Sequence, residues 1–196
     1  MRALVIYADP RKAGLSRALL ETATGALRDG GHQVVALDLC AEGFRAVMSA
    51  DERLAYHTDS PIRCDDVTRH AGLVRWADTL VFVYPSWWMG LPAVLKGWLE
   101  RVLVPGVAFH LDERTHQVVA DLRHVRRIVG ITVHRASWTS VKVMNDAGRR
   151  MLLRALAMLC HRPCRRTWLA LYSVDRSGPE GRERFLRKVE RELRAL

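Results

Sequence analysis

Two adjacent tryptophans, Trp87 and Trp88, form the segment of the chain most suited to bind a ligand. Pro85 ends the apolar run before them, and Pro92 lies in the first turn of the amphipathic stretch after them. Two neighbouring indoles cannot both pack into a strand core. We therefore expect at least one of them to offer a flat π-face or main-chain N–H groups to a ligand. The alternative is that both rings cap the core beneath the loop.

A second candidate site is the loop 8–14, which follows the first apolar run. A loop between a strand and a helix N-terminus suits a phosphate, because unpaired N–H groups and the helix dipole face the ligand there. The residues in and after this loop that suit an anion are Arg11, Lys12, Ser16 and Arg17. Asp9 opposes it, since a carboxylate about 4 Å from a phosphate costs roughly 1–4 kcal/mol. We expect Asp9 to turn away or to pair with Arg11.

Five apolar runs of strand length alternate with helix-period stretches. The runs are Ala3–Tyr7, Val34–Leu39, Leu80–Tyr84, Ile128–Val133 and Trp168–Tyr172. They are nearly continuous, which is typical of parallel strands covered on both faces. We predict one α/β domain over residues 1–196, a doubly wound five-stranded parallel sheet with helices on both faces. Ligands bind such sheets at the carboxyl ends of the strands, which selects the loops 8–14, 85–92 and 132–138.

The segment from Pro85 to Trp98 closely resembles the quinone-reductase branch of the flavodoxin-like flavoproteins, the DT-diaphorase-like NAD(P)H dehydrogenases. There a Pro-x-x-Trp-x-Gly-x-Pro-Ala-x-Leu-Lys-Gly-Trp segment binds the flavin ring. The matching residues are Pro85, Trp88, Gly90, Pro92, Ala93, Leu95, Lys96, Gly97 and Trp98, followed by Arg101 and Val102. The resemblance implies a flavodoxin-like fold, FMN or FAD as cofactor, NAD(P)H as reductant, a quinone-like substrate and a homodimer.

The resemblance also implies which residues form the site. The isoalloxazine would lie against the loop after the third strand, near the main-chain amides of Trp87, Trp88 and Met89. The residues expected to bind the cofactor are Asp9, Arg11, Gly14, Leu15, Ser16, Pro85, Ser86, Trp87, Trp88, Met89, Gly90, Thr132, Val133 and Ser137. Phe109, His110 and Trp138 are expected to line the substrate pocket, with Phe109 serving the same or a partner subunit. Lys96 and Trp98 are interpreted as structural.

Two of the three loops depart from the family pattern. Asp9 replaces a histidine and Gly14 a serine in the first loop, while Arg135 and Ala136 replace two glycines after the fourth strand. Side chains in place of those glycines would crowd the ring or redirect the substrate. We predict catalytic roles for His134 as proton donor, if protonated, and for Arg135 as anion anchor. The alternative is a rearranged, catalytically silent loop.

These observations support a flavin-dependent NAD(P)H:quinone oxidoreductase, or one using a related aromatic acceptor, that transfers two electrons as hydride. The alternative is a flavodoxin-like domain that has lost its flavin and serves as a non-redox biosynthetic enzyme or a regulatory subunit. The departures in two loops are what keep this alternative open.

The net charge of +10 first suggests a polyanionic partner. However, residues 149–196 hold 13 Lys or Arg against 5 Asp or Glu, so +8 of the excess lies in the last quarter. Aromatic residues are sparse there and no nucleic-acid-binding motif is present, so we do not expect nucleic acid as a partner. Without an apolar run of about 18 residues or a signal-peptide pattern, we expect a cytoplasmic protein with no membrane span.

The four cysteines are Cys40, Cys64, Cys160 and Cys164. They form no Cys-x-x-Cys pair and, with the histidines, no zinc-ligand spacing. We predict free thiols and no metal site.

Overall fold

The apolar runs form strands, of which the three central ones are buried on both faces and the two outer ones only in part. The computed structural model describes residues 1–58, 60–62 and 64–196. The strands are β1 (Arg2–Tyr7), β2 (Gln33–Asp38), β3 (Thr79–Pro85), β4 (Phe109–Leu111), β5 (Val118–Ala120), β6 (Arg127–Val133) and β7 (Arg165–Leu171). Five of them form one parallel sheet in the order β2-β1-β3-β6-β7, and β4 and β5 pair as a separate hairpin. The predicted doubly wound, flavodoxin-like sheet is confirmed.

Helices cover both faces of this sheet. They are α1 (Leu15–Asp29), α2 (Ala50–Ala55), α3 (Asp65–Trp76), α4 (Ala93–Val102), α5 (Trp138–Val143), α6 (Ala147–Arg150) and α7 (Gly178–Arg194). A π-helical turn (Met151–Ala155) and a 3-10 turn (Leu156–Leu159) continue α6. One core lies between the sheet and α1 with α7, and the other lies beneath α3, α4 and the segment that continues α6. Within the described residues, no helix has the length and apolar character needed to cross a membrane.

A glycine in β6 allows the edge strand β7 to pack. A Cβ atom at Gly130 would lie only 2.3 Å from Cζ3 of Trp168, which pairs with it in the ladder. Any side chain at position 130 would therefore displace the indole from its place over the sheet.

The long polar connection after β2 contains a helix that the hydrophobic pattern did not reveal. Ser49 and Glu52 form a capping box at the start of α2, with the N–H of Glu52 donating to Ser49 Oγ at 3.1 Å. Ser177 and Glu180 have the same spacing at the start of α7, but the Ser177 hydroxyl donates to the Val174 carbonyl at 2.8 Å and does not cap the helix.

A buried ion pair anchors the same connection to α4. The guanidinium of Arg101 donates to Glu52 Oε1 at 2.8 Å and to the carbonyl of Arg45 at 2.6 Å. Burial alone would raise the pKa of Glu52, but the hydrogen bonds from Arg101 and Ser49 hold it below its usual range. One turn earlier, a Cβ at Gly97 would lie 2.1 Å from the Ala46 carbonyl oxygen. The hydrogen bonds of Arg101 and the lack of a side chain at Gly97 together let the connection lie directly against α4.

Candidate functional site

The carboxyl ends of the parallel strands bring the three predicted loops to one edge of the sheet. For β1, β3 and β6, a main-chain hydrogen bond joins the first residue after the strand to the neighbouring strand. They run from Ala8 N to Val83 O (3.1 Å), from Ser86 N to Val133 O (2.9 Å) and from His134 N to Leu171 O (2.7 Å). The loops 8–14, 86–92 and 134–137 are therefore adjacent, as a site at the sheet edge requires.

The first loop ends in a helix terminus with free donors. Gly14 precedes α1 with a φ of 108°, a conformation that favours glycine. In the part of the chain that the structure describes, the N–H groups of Leu15, Ser16 and Arg17 donate no hydrogen bond. The hydroxyl of Ser16 is also buried without a partner there. A buried hydroxyl without a partner costs about 1–3 kcal/mol, so this terminus is suited to an acceptor such as a phosphate oxygen.

Asp9 pairs with Arg11, one of the two settings expected for it. Its side chain is only 2% exposed, and Arg11 Nη2 lies 2.8 Å from Oδ2 while the Arg11 N–H donates to Oδ1 at 3.0 Å. Burial would raise the pKa of Asp9, but hydrogen bonds from the Arg11 side chain and backbone bring it below its usual value. The Asp9 carboxylate therefore stays charged, and it pairs with the Arg11 guanidinium, which would otherwise be free to face a phosphate.

The loop after β3 is a tight turn with strained backbone. Trp87 and Gly90 exchange two main-chain hydrogen bonds of 3.2 and 2.8 Å, and Trp88 and Met89 between them have φ values of 48° and 58°. These are the angles of a type I′ turn, which glycine and asparagine prefer. For other residue types, such as Trp88 and Met89, the left-handed conformation costs about 1–2 kcal/mol per residue. Such strain is concentrated at functional sites, where the rest of the fold maintains it.

Both tryptophan side chains of this turn are accessible. Trp87 is 57% exposed and Trp88 is fully exposed, so neither ring caps the core. The N–H groups of Trp88 and Met89 donate no hydrogen bond to any residue that the structure describes. The turn therefore presents aromatic faces and the free amides of Trp88 and Met89, whereas the Trp87 amide, also expected to face the flavin, donates to the Gly90 carbonyl at 3.2 Å.

The third loop uses two of its predicted site residues for its own structure. Ser137 Oγ accepts the N–H of Ser140 at 3.2 Å and so caps α5. Arg135 is highly exposed and donates to Asp175 at 2.8 Å. The ring of Trp138 is half exposed, with Lys142 Nζ 5.6 Å from its centroid. Thr132 and Val133, the end of β6, are buried.

His134 is buried at the start of this loop. Its ring stacks on Tyr172 with centroids 5.0 Å apart, and neither ring nitrogen has a partner among the described residues. Burial lowers the pKa of His134, although nearby Asp146 acts in the opposite direction. The predicted role as proton donor requires an imidazolium, which this environment disfavours.

We predict that His134 makes the protein less stable in mild acid. Because its folded-state pKa lies below the unfolded value of about 6.5, the unfolded chain binds more protons, and the free energy of unfolding falls as pH drops from 6.5. His134→Phe keeps the stack and has no titrating nitrogen. When urea titrations near pH 7 and near pH 5.5 are compared, the free energy of unfolding of this variant should fall less than that of the wild type, by up to about 1.4 kcal/mol per pH unit. His116 is exposed, so His116→Asn should lose as much unfolding free energy between the two pH values as the wild type. An equal loss in His134→Phe would contradict the prediction.

Two buried polar residues behind the turn, Tyr84 and Asp146, were not among the predicted site residues. Tyr84 Oη and both Asp146 carboxylate oxygens, like Oγ1 of the predicted residue Thr132, are buried without hydrogen-bond partners among the described residues. A Cβ at Gly148 would lie 2.8 Å from Tyr84 Oη, so the start of α6 packs closely against the end of β3. In the sequence, the feature that could have indicated these groups was Tyr84, a tyrosine at the end of an otherwise apolar run.

The structure does not bring Phe109 and His110 to these loops within one chain. Their hairpin follows α4 and lies at the amino ends of the strands, where Arg75 donates to the Gly106 carbonyl at 3.0 Å and Leu122 pairs with Cys160. His110 Nδ1 is 2.8 Å from Asp121 Oδ1. The expectation that these residues line the pocket of their own chain is therefore wrong, since the loops occupy the opposite edge of the sheet.

A cavity of about 390 Å³ lies beside α5 and α6. It is lined by Lys142, Asn145, Asp146, Arg149, Arg150, Leu153, Arg154 and Arg166. Five of these side chains are cationic, which suits an anionic ligand. Across residues 1–58, 60–62 and 64–196, no group of three His, Cys, Asp or Glu side chains is placed to hold a metal ion.

The chain matches a family model and several curated proteins. A family model described as a flavodoxin-like fold matches residues 1–196. NAD(P)H dehydrogenase (quinone) 1 of Rattus norvegicus is 32% identical over 123 residues, 55% of this chain and 45% of that protein. An uncharacterized NAD(P)H oxidoreductase of Haemophilus influenzae is 33% identical over 113 residues, 57% of this chain and 55% of that protein. The chain spans about half the length of these curated relatives.

Among solved structures, an NAD(P)H:quinone oxidoreductase from Methanothermobacter marburgensis is similar over nearly the whole chain. Its TM-score is 0.81 at 26% identity, and the match covers 99% of this chain and 98% of that one.

Proposed function

The chain belongs to the family with the flavodoxin-like fold, and from that premise we propose that it is a flavin-dependent NAD(P)H:quinone oxidoreductase. The observation that carries the proposal is the strained turn at Trp88 and Met89, with its free amides and exposed indoles. It lies at the carboxyl end of β3, inside the segment that resembles the flavin-binding segment of quinone reductases. The names of the relatives in Rattus norvegicus and Methanothermobacter marburgensis support the same activity.

The described residues fit an FMN or FAD. The amides of Leu15 to Arg17 and the unpartnered hydroxyl of Ser16 would hold a phosphate, and the amides of Trp88 and Met89 would donate to the polar edge of the ring. A flavin supplies the two-electron chemistry of the reaction when it is bound. The role of the protein is then to position the reactants and to favour negative charge at the edge that the amides face.

The substrate pocket would lie between the exposed indoles of Trp88 and Trp138. Flat aromatic faces on two loops suit the nicotinamide of NAD(P)H and a quinone, which would occupy the same space in turn. The cations Lys142, Arg149 and Arg150, which line the neighbouring cavity, would attract the phosphates of the dinucleotide.

We propose a homodimer in which a second copy completes the pocket. The hairpin that carries Phe109 and His110 lies away from the loops of its own chain, so these residues could serve a site only in another copy. The resemblance to dimeric reductases supports this arrangement.

Reconstitution tests the proposal directly. The purified full chain is mixed with FMN or FAD, desalted and examined by its visible spectrum, and NAD(P)H oxidation is then followed with a small naphthoquinone as acceptor. We expect a yellow protein and NAD(P)H oxidation that depends on the quinone. A chain that retains neither flavin, or a flavin-loaded chain that does not reduce the quinone with NADH or NADPH, would refute the proposed function.

Asp9→Asn is expected to tighten flavin binding by at least about fivefold. A carboxylate about 4 Å from a phosphate costs roughly 1–4 kcal/mol, and asparagine removes that charge while it still accepts the Arg11 N–H. The change also frees the Arg11 guanidinium for the phosphate. Fluorescence titration with FMN and FAD gives the dissociation constants.

Asp29→Asn is the matched control, since Asp29 is the last residue of α1, at the end of that helix away from Asp9, and pairs with Arg194 at 2.9 Å. It should leave flavin affinity unchanged. Equal or weaker binding by Asp9→Asn would show that the carboxylate does not oppose the phosphate.

A further inference from the structure

Cys160 and Cys164 flank a three-residue turn at the amino ends of β6 and β7. The N–H of His161 donates to the Val125 carbonyl and the N–H of Arg165 to the Arg126 carbonyl, each at 2.9 Å. Because these two carbonyls belong to consecutive residues, the cysteines immediately before the two donors are held close to each other. Disulfides need α-carbons about 4.4–6.8 Å apart, a separation that two cysteines four residues apart in a turn held in this way can reach.

The two thiols differ in environment. Cys160 is buried and donates to the Leu156 carbonyl at 3.4 Å, whereas Cys164 lines a surface cavity of about 350 Å³. Interaction with the Cys160 thiol, and then the cations Arg166 and Arg127, lower the pKa of Cys164 although burial opposes them, whereas interaction with Cys164 and burial raise the pKa of Cys160.

We propose that Cys160 and Cys164 are a redox-active dithiol, in which Cys164 reacts with a hydroperoxide and Cys160 resolves the product to a disulfide. Neither cysteine is in a disulfide in this structure. This modification site lies at the edge of the sheet opposite the flavin loops, and the proposal does not depend on the redox activity there.

The reaction balances in two steps. The Cys164 thiolate attacks the hydroperoxide, an S–O bond forms, the O–O bond breaks, and the departing oxygen takes a proton to leave as water or an alcohol. The Cys160 sulfur then attacks the sulfenic acid, an S–S bond forms, the S–O bond breaks, and the hydroxyl leaves with the Cys160 proton as water. Two thiols are oxidised and one hydroperoxide is reduced.

Cys40 provides the matched control within the chain. Burial and the nearby carboxylates of Asp38 and Asp9 raise the pKa of its thiol, the reverse of the setting of Cys164. We therefore expect Cys40 to react with a hydroperoxide or an alkylating agent at least about tenfold more slowly than Cys164, in proportion to its smaller thiolate fraction.

The test treats the full chain with stoichiometric hydrogen peroxide and maps its peptides by mass spectrometry. The wild type should lose two hydrogens in the peptide that contains Cys160 and Cys164 and regain them with dithiothreitol. Cys160→Ser should accumulate a sulfenic acid at Cys164 that dimedone traps. Cys164→Ser should give no adduct at Cys160, and Cys40→Ser should behave as the wild type.

A second measurement needs no substitution at the pair. Iodoacetamide labelling of the untreated wild type, quantified for each cysteine, should modify Cys164 first. A disulfide that involves Cys40 or Cys64, an overoxidised Cys164 without a disulfide, or faster labelling of Cys40 than of Cys164 would each overturn the proposal.

Discussion

Arg101→Ala is expected to lower the free energy of unfolding by about 3–5 kcal/mol, the cost of breaking a buried ion pair by removing one partner. The side chains of Arg101 and Glu52 are almost completely buried. Without the guanidinium, the Glu52 carboxylate and the Arg45 carbonyl lose donors that water cannot easily replace. The connection that α2 belongs to would then detach from α4. Urea denaturation followed by circular dichroism measures the change.

Two further variants identify the cause of that loss. Arg101→Met combined with Glu52→Gln removes both charges and keeps a hydrogen-bonding side chain at the capping box, so it should be more stable than Arg101→Met alone. Arg187→Ala breaks an exposed pair with Glu183 on α7 and should cost less than about 1 kcal/mol. If Arg101→Ala costs no more than Arg187→Ala, the buried pair does not anchor the connection.

Replacing Trp88 by asparagine and Met89 by glycine together is expected to raise stability while it lowers activity. Asparagine and glycine are the preferred residues of a type I′ turn, so the left-handed strain of about 1–2 kcal/mol per residue is relieved. The exposed indole is lost at the same time. Since burying a large apolar side chain against a ligand contributes about 1.5–3 kcal/mol, kcat/KM for the quinone should fall at least about tenfold.

The backbone and side-chain contributions to this result can be separated. His116→Gly relieves a left-handed residue with a φ of 54° in the hairpin loop and should stabilise the chain without a change in flavin affinity. Met89→Gly alone should raise stability and retain more activity than the double variant. A double variant that keeps full kcat/KM would show that the Trp88 ring does not contact the reactants.

The sheet could be predicted from the sequence because its strands, of which the three central ones are buried on both faces, appear as nearly continuous apolar runs. The start of β7 was placed three residues late, since Arg165 and Arg166 join the ladder while their side chains stay exposed. Hydrophobicity cannot detect a strand end whose side chains point to solvent. Family membership followed from the segment around Pro85 and Trp98, and the comparisons confirm it.

The site was less accessible to sequence reasoning, because its properties arise from conformation and burial. Positive φ angles at Trp88 and Met89 contradict the preferences of these residues and are imposed by the surrounding turn. The pairing of Asp9 with Arg11 was anticipated only as one of two options. The burial of His134 depends on its stack with Tyr172, a residue from a distant strand end that no local pattern connects to it.

The basic end of the chain has a consequence for how copies of this protein can meet. β7 is an outer strand of the sheet, so within the described residues one side of its backbone pairs with no other strand, and another strand could extend the sheet there. Arg165 and Arg166 lie exposed at its beginning, and β7 contains no carboxylate to neutralise them. Pairing two such edges would remove water from these guanidinium groups. The two arginines therefore disfavour pairing of two copies along β7.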